Sequence, residues 1–216
     1  MPDQGPVSAM TATQIVAATL RVDAVAAEVI RGFGAAGIES RLLKGAALAR
    51  WLYTATDPRW YSDCDVLVRP SDLPAARTVL QRLGFVPEVD EARMPDWWRE
   101  HAVAWLHEGD SVVVDVHVTL PGVATEPGRV WDVLSADPEP VTVGGAQATM
   151  LPAAGRALHV ALHAAQHGPD WGGAVAADLE RALQQAGEDT WRGAAELAAR
   201  LEATAAFATG LRLSAA

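Results

Sequence analysis

Cysteine, lysine and long uninterrupted apolar runs are what this 216-residue chain has least of, and each scarcity excludes something. The single cysteine, Cys64, rules out an internal disulfide framework. The opening Met1-Pro2-Asp3-Gln4-Gly5-Pro6 lacks the basic and apolar regions of a secretory signal, so a reducing cytoplasm is the expected location. No run of about 18 apolar residues free of charge, proline and glycine occurs, and no membrane-spanning helix is expected. Basic residues are outnumbered, 17 Lys and Arg against 27 Asp and Glu for a net charge of −10, with no Lys/Arg-rich run. That balance disfavours a polynucleotide partner. At 22.8 kDa the chain is long enough to bury a proper core.

What is present is more pointed. Ser62-Asp63-Cys64-Asp65-Val66-Leu67-Val68 places two carboxylates two residues apart on an apolar strand. Successive strand side chains alternate faces, so Asp63 and Asp65 point one way while Cys64 and Val66 point into the packing layer. Carboxylates on Cα atoms roughly 7 Å apart can reach a pair of cations about 3.5 to 4 Å apart. A second run, Val112-Val113-Val114-Asp115-Val116-His117-Val118, carries Asp115 and His117 on one face of a β-branched stretch. Two like charges about 4 Å apart repel by roughly 4 kcal/mol at an effective dielectric near 20, and a divalent ion reverses that sign. The competing reading puts Asp115 on an edge strand facing water and Asp63 in a turn.

The periodicity predicts an α+β organisation. Residues 1–10 read as a flexible N-terminus. Ile15, Ala18, Val22, Val25, Val29 and Phe33 mark a long amphipathic helix that Gly32, Gly34 and Gly37 interrupt. A short strand follows over 38–43, and Gly45 opens a helix to about Tyr53. Ser71 is the expected N-cap of a helix stopped by Gly84. Residues 85–89 read as extended, and Met94 to Glu100, with Trp97 and Trp98, as a loop or short helix. Ala102–His107 and Ser111–Thr119 form a hairpin around Glu108-Gly109-Asp110. The proline- and glycine-bearing stretch 120–152 reads as a connection with one short strand near Val141–Val143, closing a core of 11–150. Helices over 153–168, 173–186 and 190–213 make a C-terminal helical region, 151–216.

With Leu43-Lys44-Gly45-Ala46-Ala47-Leu48, Tyr53, Arg59, Asp63 to Val68, Gly84-Phe85 and Asp115 to His117 laid out in order, the chain resembles the nucleotidyltransferases of the DNA-polymerase-β-like superfamily. It is most similar to the bacterial "uncharacterised nucleotidyltransferase" family. The resemblance implies a mixed sheet flanked by helices and a metal-dependent transfer of a nucleoside monophosphate from a nucleoside triphosphate to a hydroxyl, with release of pyrophosphate. It implies Mg²⁺ or Mn²⁺ held by Asp63, Asp65 and Asp115. Lys44, conspicuous where lysine is almost absent, and the Gly45 amide would steady the triphosphate. Arg59 would add a cation to the leaving pyrophosphate; its other reading is an arginine paired with a local carboxylate. Lys44 in turn reads alternatively as a solvated helix-start residue.

The acceptor stays open between a small molecule, a peptide and a protein side chain, and a homo-oligomer is a further expectation. Two other functions compete: an Mg·NTP-binding or interaction module with weak turnover, and phosphoester or sugar-phosphate transfer on the same fold. His159, His163 and His167 share one helix face, with three readings: a metal stripe, ordinary hydrogen-bonding groups, or, for His163 or His167, groups that line the active cleft at the acceptor. Asp178 is expected nearby. His117 reads as a proton acceptor, a support for the metal ligands, or a structural hydrogen-bonding group. Of the eight tryptophans, most are expected to fill the core. Trp60 is read either as a base-stacking residue or as packed under its loop, the latter favoured.

Overall fold

The computed structural model describes residues 11–88, 102–107, 109, 111–168 and 173–214. The expectations for residues 1–10, Val89, Met94 to Glu100 with Trp97 and Trp98, Glu108, Asp110 and Trp171 lie outside the described residues. The architecture is α+β, a seven-stranded mixed sheet with helices on both faces.

Helix α1, Ala12–Ala35, begins with a capping box in which Thr11 Oγ1 accepts from the Gln14 amide and Gln14 Oε1 accepts from the Thr11 amide. It buries Val22, Val25, Val29 and Phe33. The helix runs through Gly32 and Gly34 rather than breaking there. A Cβ at Gly32 would lie 2.9 Å from Val79 Cγ1, so the glycine serves close packing against the next long helix.

Strand β1, Ser40–Leu42, leads into helix α2, Lys44–Leu52, and strand β2, Asp63–Val68. A 3-10 turn, Pro70–Asp72, precedes α3, Leu73–Arg82. Ser71 is therefore not the N-cap; Asp72 holds that place without a side-chain cap bond, because the two prolines already preset the entry. Strands β3, Phe85–Pro87, β4, Ala102–His107, and β5, Val112–His117, follow as an antiparallel meander.

The stretch 120–152 departs from the expected connection. It contains helix α4, Pro127–Leu134, and a hairpin of β6, Glu139–Val143, and β7, Ala146–Met150. Pro127 starts the helix from its first turn instead of breaking it, and Pro140 is accommodated because β6 is an edge strand. Gly144 and Gly145, both at positive φ (51° and 75°), make the two-residue turn. Helices α5, Ala153–His167, α6, Ala174–Gln185, α7, Glu188–Arg200, and α8, Thr204–Arg212, complete the described chain; the helix expected over 190–213 is divided at Leu201–Ala203, where Glu202 has φ 55°.

The strand order is β3-β4-β5-β2-β1-β7-β6, with β2 parallel to β5 and β1 parallel to β7. On one face Cys64, Val66, Val68, Val112, Val114 and Val116 pack with α1 and α3. On the other, Leu67 joins a second cluster with Leu43, Leu48 and Leu52 of the α2 region, Trp131 of α4, and Leu158 and Leu162 of α5. Burying each such side chain contributes about 1.5–3 kcal/mol, which fixes α5 under the strands that carry the acidic residues. No described helix is long and apolar enough to cross a membrane.

Candidate active site

The parallel register of β2 and β5 pairs Asp65 with Asp115 and Leu67 with His117. Since Cys64, Val66, Val114 and Val116 fill the opposite core, the alternation leaves Asp63, Asp65, Asp115 and His117 on the α5 side of the sheet. Both strands are interior, flanked on each side by another strand. The edge-strand reading of Asp115 is thereby excluded.

Ligand atoms of Asp65, Asp115 and His117 all lie within 4.8 Å of one another. Asp63, expected in the same cluster, stands outside this group but interacts electrostatically with Asp65, Lys44 and Arg59. Lys44 Nζ donates to Asp65 Oδ1 at 2.6 Å, and His117 Nε2 lies 2.9 Å from the same oxygen. Lys44 thus holds a carboxylate directly, and is neither solvated nor free for phosphate alone.

The electrostatics follow from that crowding. Burial pushes the Asp65 carboxyl upward, but Lys44 and the His117 contact outweigh it and hold Asp65 well below the usual range. Burial opposes the Lys44 ammonium too; the Asp65 partner, with Asp63 and Asp115 behind it, raises its pKa nonetheless. At Asp115 the balance reverses: burial first, then the Asp65 charge, outweigh the lowering by Lys44 and push its carboxyl up to about 7. Asp63 is raised by burial and by Asp65. His117 is lowered, chiefly by burial. Two carboxylates and an imidazole converge, with one carboxyl pushed up by burial and by its acidic neighbour, and this donor set fits a hard divalent cation such as Mg²⁺ or Mn²⁺.

Gly45 shapes the approach to the strand. Its backbone (φ 6°, ψ −97°) departs from helical geometry just after Lys44. A Cβ there would sit 3.3 Å from the Asp63 carbonyl oxygen and 3.4 Å from the Tyr61 ring, so the glycine relieves crowding where the α2 start meets β2.

Arg59, half-buried with only 9 % of its side chain exposed, is bidentate on Asp178 of α6, Nε to Oδ1 at 2.8 Å and Nη2 to Oδ2 at 2.6 Å. Tyr53 donates to Asp178 Oδ1 at 2.7 Å. The partner is a carboxylate 119 residues away that ties the loop before β2 to the C-terminal helices. The sequence placed Asp178 nearby without assigning it this role; the signal was a carboxylate beside buried Leu179 and Ala182 on α6. A second anchor escaped sequence reasoning altogether: Asp23 of α1 accepts from Tyr61 at 2.6 Å and from Arg50 at 2.7 Å. Its signal was an acid one residue after buried Val22.

The α5 histidines form a file toward this cluster. Ring centroids of His117 and His159 are 6.4 Å apart, those of His159 and His163 6.4 Å, and those of His163 and His167 4.5 Å. Burial lowers His159 strongly. Burial, Lys44 and His167 bring His163 down to about 3, and His167 is lowered by burial and Lys44. All three stand neutral near pH 7. Trp60, expected to pack under its loop, is instead 40 % exposed beside Arg59, because Tyr61 takes the inward position.

The family model described as uncharacterised nucleotidyltransferase matches residues 9–216. The chain belongs to this family. This nucleotidyltransferase matches no curated protein. Its fold is shared with the solution structure of the antibiotic-resistance factor ANT(2'')-Ia, at TM-score 0.60 and 13 % identity over 86 % of this chain and 95 % of that one. The crystal structure of ANT(2'')-Ia in complex with adenylyl-2''-tobramycin gives 0.60 and 12 % over 82 % and 97 %. An antigenic nucleotidyltransferase-like protein from Paracoccidioides brasiliensis gives 0.50 and 11 % over 88 % and 93 %. The expected family and fold class are both as the sequence implied, and the nucleotidyltransferase is an enzyme by family.

Proposed function

We propose that this nucleotidyltransferase moves a nucleoside monophosphate from a nucleoside triphosphate to a hydroxyl of a small-molecule acceptor. The observation that carries the reading is the in-register pairing of Asp65 with Asp115, which converges their carboxylates with His117 beside Lys44. In the reaction an acceptor oxygen bonds to the α-phosphorus as the bond from that phosphorus to the bridging oxygen of pyrophosphate breaks. The hydroxyl proton passes to Asp115, the partly exposed carboxylate of the converging pair.

Asp65 and Asp115, with Asp63 beside them and His117 as a nitrogen donor, are the residues that would hold a divalent metal. Bound there, such an ion supplies positive charge to phosphate oxygens and lowers the pKa of an oxygen nucleophile. Lys44 fixes Asp65 in its ionised form and brings a cation to the phosphate side of the cleft. Gly45 admits the triphosphate to the start of α2 through backbone rather than side chain. Arg59, anchored by Asp178, sets a guanidinium near Asp63, where pyrophosphate would leave. In this arrangement the core, 11–150, carries the nucleotide and the helices of 151–216 wall the acceptor.

A small acceptor rather than a polynucleotide is favoured by the net charge of −10 and by the fold shared with ANT(2'')-Ia, whose crystal structure is in complex with adenylyl-2''-tobramycin. The test is incubation with each α-labelled nucleoside triphosphate, Mg²⁺ or Mn²⁺ and panels of hydroxylated small molecules. Label transfer and pyrophosphate release, both lost in Asp63→Asn, support the reading. Metal-stimulated triphosphate binding with no transfer to any acceptor supports a binding module instead.

A further inference from the structure

We propose that His163 and His167 form a second cation site, separate from the acidic cluster and selective for borderline-soft divalent metals of the Zn²⁺ class. The two residues are four apart on α5, which stacks their side chains on one face of its last turn. Their Nε2 atoms face each other at 2.9 Å, with the rings nearly perpendicular at 86°. At that distance one nitrogen donates and the other accepts, so a single proton occupies the space between two lone-pair directions. Tetrahedral Zn²⁺ with Zn–N bonds of 2.0–2.1 Å asks for nitrogens about 3.3 Å apart. A few tenths of an ångström of side-chain rotation therefore exchanges the shared proton for a metal.

Further features agree. Paired histidines at this helical spacing are an established chelating arrangement. The pair lies at the C-terminal end of a 15-residue helix, where the backbone dipole favours a cation. Among the described residues no carboxylate completes a three-ligand group with this pair, whereas the Asp65, Asp115 and His117 group is oxygen-rich. Paired imidazole nitrogens suit a borderline-soft metal, and oxygen-rich donors favour Mg²⁺, so the two sites separate by the softness of the metal. One turn inward, His159 keeps its Nε2 buried with no hydrogen-bond partner among the described residues, its ring 6.4 Å from that of His163. Both ligands are partly exposed, so an ion can reach them from solvent.

The test uses the full chain, stripped with EDTA and then held in excess Mg²⁺ to occupy the acidic cluster. Zn²⁺ is titrated against a chromophoric chelator, and Co²⁺ is followed by its visible absorption. The expected result is one Zn²⁺ per chain, unaffected by Mg²⁺ and retained in Asp115→Asn, with affinity reduced roughly tenfold or more in His167→Gln and in His163→Gln. Zn²⁺ binding by His167→Gln equal to the parent overturns the proposal. So does displacement by Mg²⁺ or loss in Asp115→Asn, either of which puts the ion on Asp65, Asp115 and His117. His167, the more exposed of the two, decides the matter even where His163→Gln fails to fold, with folding followed by far-UV circular dichroism.

Discussion

Asp65 and Asp115 are register partners on adjacent parallel strands in the middle of the sheet, one ionised well below the usual range and the other pushed up to about 7. Lys44 and His117 both contact the Asp65 carboxylate, while burial and the Asp65 charge raise Asp115. Lys44 pairs with Asp65 at 2.6 Å, and the raised Asp115 carboxyl beside it is suited to a further positive charge.

Removing either outer carboxylate separates catalysis from stability. Asp63→Asn or Asp115→Asn is expected to lower turnover on the order of 10²–10³-fold. In the metal-free protein at pH 8, Asp115→Asn should melt no lower than the parent, because a buried like charge has gone. Steady-state kinetics and thermal melts check the two halves, and a collapsed melt with Asn at 115 would make the residue structural.

The pH dependence has a defined sign. With its folded pKa about 7, above the ordinary carboxylate value of 3.8, Asp115 keeps a proton on folding that the unfolded chain has released. Its contribution to metal-free stability is therefore full below about pH 4, falls between about pH 4 and 7, and is flat above. Mg²⁺ competes with that same proton, so it should raise the melting temperature at pH 8 and have little effect at pH 5. Melts at both pH values with and without Mg²⁺, repeated in Asp115→Asn, test the assignment; an unchanged slope in the variant refutes it.

Asp178→Ala leaves the Arg59 guanidinium buried without its bidentate partner. A loss of about 3–5 kcal/mol is expected in urea unfolding, with a raised KM for the triphosphate. The double variant Asp178→Ala with Arg59→Met should lose less than the sum of the single changes. Strict additivity would show that the pair is not coupled.

Gly45→Ala places a methyl 3.3 Å from the Asp63 carbonyl and 3.4 Å from Tyr61. The strand and the α2 start must separate, at about 1–3 kcal/mol, and triphosphate binding should weaken with it. Unfolding and nucleotide titration measure both. Wild-type values in each would mean that the close approach is not required.

Much of this was legible from residue order. The spacing of Val22, Val25, Val29 and Phe33 announced α1, and the alternation through Asp63 and Asp115 announced two strands with a shared acidic face. Less legible was 120–152, where Pro127 and Pro140 suggest broken structure but occupy the two places that tolerate proline, a helix's first turn and an edge strand. Whether a proline lies at an edge depends on strand order, which local sequence does not encode.

The sequence by itself determined the periodicity of each element and which face of each strand carries oxygen, since both follow from 3.6- and 2-residue repeats. Only the tertiary structure decided which faces meet. Parallel pairing of β2 with β5 converged Asp65, Asp115 and His117 while leaving Asp63 outside their group, the α2 start delivered Lys44 to Asp65, and α6 delivered Asp178 to Arg59 across 119 residues. Those encounters are set by the burial of two cores on opposite faces of one sheet, a property of the whole chain that no local window contains.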